Sequence, residues 1–157
     1  MKTVIAAAAL ALVATAAVAS DQPAYGPMVT ADQAQKIIAT GIAEARKANL
    51  TMAFTVVEPS GALVAFHKMD GTQYGATKAS QGKAVTAAEF RRSTKAVTEA
   101  IVANPGVLTL GVNGVEGGLP LFVDGKVIGA LGISGGTAVQ DGQIAGATLA
   151  AAGFAAK

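Results

Sequence analysis

From Thr30 onward the apolar positions fall into regular periods. Ala34, Ile37, Ile38, Gly41, Ile42 and Ala45 recur at helical spacing along one face. Ahead of them, Thr30-Ala31-Asp32-Gln33 has the form of a capping box, with Thr30 as cap and Gln33 reaching back. Arg46 and Lys47 suit the negative end of a helix, and Asn49 suits its stop. The pattern predicts an amphipathic helix over 31–48. Two β-rich runs follow, 52–57 and 63–68, and the turn residues Pro59-Ser60-Gly61 between them predict a hairpin. After Asp70-Gly71, residues 75–89 set Ala76, Ala79, Ser80, Lys83, Ala84, Ala87 and Ala88 in a helical stripe of small side chains, suited to close packing on a sheet. Residues 90–93 connect this helix to a short one over 94–102, capped by Ser93 and stopped by Asn104-Pro105-Gly106. The Gly-rich stretch 106–119 has no period. Residues 121–123, Asp124-Gly125 and the run 126–133 make the clearest hairpin, because both central residues of a type I′ turn need positive φ. A last helix is expected over 140–152, with Asp141 in or beside its first turn, where a negative charge is favoured. Helix, hairpin, helices, hairpin, helix is an α+β order, with helices covering an antiparallel sheet.

The start of the chain reads differently. Lys2 is followed by an uncharged run from Val4 to Ala19, ending in Ala17-Val18-Ala19. A charged start, an apolar run and small residues at the cleavage positions are the layout of a secretory signal peptide. The run is shorter than the ~20 apolar residues that a membrane span needs. Cleavage is expected after Ala19, leaving an extended arm over 20–29 and a domain over 30–157. The expected location is the periplasm or the cell exterior, with no membrane insertion after cleavage.

Composition narrows the chemistry. The 157 residues include 12 Lys+Arg and 10 Asp+Glu, 19 Gly, one His, and no Cys or Trp. Without Cys there is no disulfide scaffold, thiolate metal site or Cys nucleophile, and one His cannot make a multi-His metal centre. A net charge of +2 and 4% aromatic residues argue against nucleic-acid binding. Paired carboxylates are not apparent, and Ser134 lacks the nucleophile-elbow pattern, so binding is expected rather than catalysis. His67 and Met69 are two apart near a strand end and share a face; an imidazole and a thioether are both ligands for haem iron. Lys83 lies among alanines, so it either snorkels out or points into a site. A flat ligand or a partner subunit would fit the small-residue face around it. Ser134-Gly135-Gly136, leading from a strand toward a helix, offers backbone N–H groups to a phosphate or carboxylate, or simply makes a tight turn.

Three segments together carry a family resemblance: VVEPSGALVAFHKMDG from Val56, KAVTAAEFRRST from Lys83, and GGLPLFVDGKVIGALGISGGTAVQD from Gly117. In this order they resemble the GlcG/HbpS haem-binding family, which is related to the PduO C-terminal domain. The resemblance runs roughly from Thr30 to Ala152. It implies a profilin-like fold with an antiparallel sheet of about five strands flanked by helices, a homo-oligomer, and a secreted or periplasmic branch that binds haem. It also implies Thr94 as a candidate iron ligand. Glu58-Pro59 replaces the usual Asp, Ser93 the usual Pro, and His67-Lys68 the frequent Arg, which makes His67 the alternative ligand. Phe90 and Met69 would then pack against haem, and Lys83, Arg91 or Arg92 would pair with its propionates. Two other functions stay open. One is a small enzyme or accessory factor holding an organic acid or a corrinoid at Ser134-Gly135-Gly136. The other is a non-catalytic extracellular partner of a membrane sensor protein.

Overall fold

A computed structural model describes residues 22–154. The expected signal segment over 1–19 lies outside these residues. The chain runs α1 (Ala31–Lys47), β1 (Ala53–Val57), β2 (Leu63–Lys68), α2 (Gly75–Phe90), α3 (Thr94–Ala103), a 3-10 helix (Pro105–Leu110), β3 (Gly118–Val123), β4 (Lys126–Ser134) and α4 (Ala138–Ala152). The strands form one antiparallel sheet in the order β2-β1-β4-β3, so each hairpin keeps its own pair and the two meet at β1 and β4.

The expected strand number was about five; among the described residues there are four. The arm supplies only an isolated parallel bridge, Tyr25 to Val127. It is tied there by the Gly26 and Val29 N–H groups to the Val127 and Ile128 carbonyls. Pairing ends there because β1 already occupies that side of β4 from Ala130 onward.

The strand period of two sends alternate side chains to two cores. Phe54, Val56, Leu131 and Ile133 meet Ile37, Ala45, Ala145 and Leu149 of α1 and α4. Val57 and Ala130 meet Ala84, Ala87 and Ala88 of α2 on the other face. The small-residue stripe of α2 is thus covered by the sheet of its own chain, not by a flat ligand or a partner. The approach is close: a Cβ at Gly132 would lie 2.0 Å from the Ser80 carbonyl oxygen. Asp124 (φ 48) and Gly125 (φ 73) turn the β3–β4 hairpin with both central residues at positive φ.

Candidate functional site

Lys83 projects from the small-residue face of α2 into the interior and is 1% exposed. Its Nζ donates to Asp141 Oδ2 at 2.6 Å and to the Ile133 carbonyl at 3.0 Å. The other oxygen of Asp141 accepts the Gly136 N–H at 2.9 Å. Burial pushes the Asp141 carboxyl above its ordinary value; the Lys83 hydrogen bond, the Gly136 N–H and the Lys83 charge act the other way. Two expectations are corrected here. Lys83 is not available to a propionate, because its ammonium is buried and already paired. The Ser134-Gly135-Gly136 loop does hold an anion, but that anion is the chain's own Asp141.

Thr94 is also committed. It opens α3 behind the Ser93 cap and is fully buried, and its Oγ1 accepts the Gly118 N–H at 2.9 Å. Gly118 must be glycine for this contact: a Cβ there would lie 2.5 Å from the Lys83 carbonyl oxygen and 2.6 Å from Thr94 Cγ2. The hydroxyl oxygen keeps a second lone pair, but at 0% exposure no iron reaches it unless the packing of β3 against α3 opens. The structure therefore gives Thr94 a packing role in place of the expected ligand role.

His67 and Met69 do come together. Both line an open hollow of about 300 Å³ with Arg46, Lys68 and Asp70. His67 is exposed on the edge strand β2, and Met69 packs half-buried against the core beneath it. Arg46 enters from the last turn of α1. Two cations and one carboxylate around an exposed imidazole and a thioether suit an anionic, metal-bearing ligand. Haem fits this donor set: His67 or Met69 would meet the iron and Arg46 and Lys68 the propionates. In the sequence Arg46 stands out only as a helix-end charge; the fold brings it to this hollow.

The remaining expected residues lie elsewhere. Phe90 is half-buried in a cleft of about 630 Å³ between α2 and the 3-10 helix, opposite Leu108. Arg91 turns back to the arm, donating from Nη1 to the Pro23 carbonyl (3.0 Å) and from Nη2 to Gln22 Oε1 (2.7 Å). Its guanidinium also lies 4.9 Å from the centre of the Tyr25 ring. Arg92 is exposed. Phe90, Arg91 and Arg92 therefore do not share the hollow of His67.

Residues 29–150 match the family model described as haem degrading protein HbpS-like. The chain belongs to the HbpS-like family. This HbpS-like chain is 40% identical to protein GlcG of Escherichia coli strain K12 over 114 residues, covering 68% of this chain and 81% of GlcG. Its fold matches that of Klebsiella pneumoniae protein ORFY with a TM-score of 0.78 at 26% identity, covering 88% of this chain and 98% of ORFY. It also matches PduOC, solved as a haem complex, with a TM-score of 0.75 at 22% identity, covering 82% of this chain and 98% of PduOC. At that identity the last likeness speaks for the fold alone.

Proposed function

We infer that this HbpS-like protein binds haem, and that it does so at the hollow of His67. The observation that carries this reading is the meeting of His67, Met69, Arg46 and Lys68 in one open hollow. The family match adds weight to haem as the ligand. Haem bound there would supply iron for storage, sensing or redox chemistry, while the chain's part is to hold it by one soft or imidazole ligand and two cations. The same reading includes export, through the apolar run ending at Ala19, and a homo-oligomer. The exposed Leu63 (58%) and Phe66 (36%) on the edge strand β2 support the oligomer, since an apolar edge strand is suited to pairing with another chain.

The test is a haemin titration followed in the visible spectrum. A saturable Soret change is expected at about one haem per chain or per dimer, with loss or displacement of the band in His67→Ala. Non-saturable uptake, or a spectrum indifferent to both His67→Ala and Met69→Ala, would overturn the assignment. Sedimentation checks the oligomer, and N-terminal sequencing of protein recovered outside the cytoplasm checks export.

A further inference from the structure

We propose that the outer face of α2 is an interface between two copies of this chain, paired antiparallel about a two-fold axis that crosses the helix between Lys83 and Ala84. The proposal rests on the homo-oligomer reading and names a surface for it, separate from the β2 edge.

The sheet is covered unequally. α1 and α4 pack on one face, and their core holds Phe54, Leu131, Ile133 and Leu149. On the other face α2 packs through a core of Val57, Ala84, Ala87, Ala88 and Ala130. Small side chains bury little apolar area, so this layer gains less from its own chain. The helix turns its alanines to the sheet and Lys78, Gly82, Val85 and Glu89 away from it, a second stripe at helical spacing. That stripe runs along the open cleft of about 630 Å³ whose far wall includes Leu108 of the 3-10 helix. No residue of the 3-10 helix is buried, and its Leu108 and Leu110 are 56% and 62% exposed. Apolar surface gathered in this way marks an interaction site, whereas a single exposed leucine needs no explanation.

The partner follows from the charges. Lys78 and Glu89 stand at the two ends of the stripe, both exposed, and neither pairs with an opposite charge among the described residues. They lie about 16 Å apart along the axis, equally far from the point between Lys83 and Ala84. An antiparallel copy therefore sets Lys78 against the partner's Glu89 at both ends at once, whereas a parallel copy sets like against like. Gly82 and Val85 are mirror positions as well, so the centre carries no charge and no long side chain to hold the helices apart. One patch thus complements itself, as a two-fold interface requires. The two clefts then face one another, and the exposed leucines of each wall pass from water into the shared interior.

Sedimentation equilibrium of the purified protein at low salt is the test, since salt screens exposed charges. Wild-type chains should associate. Lys78→Glu and Glu89→Lys should each raise the dissociation constant on the order of tenfold, because each substitution acts at both ends of the pair. Both side chains are exposed, so both variants keep the fold. Mixing the two variants should restore association, as every facing pair is then again of opposite sign, and the doubly substituted chain should associate as the wild type does. Leu108→Glu should weaken association with no rescue by either charge change. Single variants that associate as the wild type does, or a mixture no tighter than its components, would overturn the proposal. Association lost only in Leu63→Glu of the β2 edge would overturn it and leave the oligomer reading standing, while a monomeric wild type would overturn both.

Discussion

Lys83 and His67 both stand out in the sequence as residues able to hold a ligand, and the structure treats them in opposite ways. Lys83 is 1% exposed and gives its ammonium to Asp141 and to the Ile133 carbonyl, while Asp141 collects the Gly136 N–H as well. His67 stands exposed at an edge strand, at the mouth of an open hollow with Arg46 and Lys68. The interior answers its own charges. At the β2 edge the His67 imidazole and the Arg46 guanidinium have no polar partner among the described residues, and a ligand belongs where the chain has not already supplied one.

The largest expected effect breaks the closed side of this comparison. Asp141→Asn keeps an oxygen for the Gly136 N–H but sets its NH2 against the buried Lys83 ammonium, which then has no carboxyl acceptor, ionised or protonated. Removing one partner of a buried pair costs about 3–5 kcal/mol. Denaturant unfolding should show a loss of that order, and Lys83→Met combined with Asp141→Asn should recover most of it. A loss under about 1 kcal/mol would mean that solvent reaches the pair, as it does in surface ion pairs.

Thr94→Val comes next. The isosteric change leaves the buried Gly118 N–H without its acceptor, a cost of about 1–3 kcal/mol. The variant should unfold earlier yet bind haemin with the wild-type spectrum. A wild-type stability joined to an altered haem spectrum would instead return Thr94 to the role of iron ligand.

Much of this arrangement was legible in advance, and the gaps have physical causes. The Thr30–Gln33 capping box and the Asp124-Gly125 turn are local chemistry, and both are present as expected. The equivalent box at Thr137 and Gln140 starts α4 at Ala138, two residues ahead of the expected 140. β3 begins at Gly118 and not at residue 121, because Gly118 and Pro120 are poor strand formers on their own. Gly118 is there for the space that Lys83 and Thr94 demand. That demand is tertiary, as is the partnership of Lys83 with an aspartate 58 positions away. The hollow of His67 was half visible: His67 and Met69 are sequence neighbours, whereas Arg46 arrives from another helix.

A smaller effect is the pH dependence of the closed cluster. Asp141 is held above its ordinary value of 3.8 by burial. The folded chain therefore keeps a proton at pH values where the unfolded chain has lost it. That contribution to stability is complete below the unfolded value and is lost as the pH rises through the folded one. The unfolding free energy of the wild type, measured against Asp141→Asn from pH 3.5 upward, should decline relative to the variant across that window. A relative rise would mean that the Lys83 and Gly136 contacts outweigh burial.

The smallest effect on stability should come with the largest effect on binding. His67 is exposed, and none of its neighbours depends on its imidazole for a hydrogen bond among the described residues. His67→Ala should therefore change the unfolding free energy by no more than about 0.5 kcal/mol, as surface substitutions do. The same variant should lose the imidazole-ligated haem spectrum, and Met69→Ala should cost more stability because its side chain packs on the core. That pairing separates a binding residue from a structural one, as stability and spectrum move independently at His67 and together at Met69. If His67→Ala destabilises the chain as much as Met69→Ala does, the edge is no more open than the interior, and the contrast with Lys83 fails.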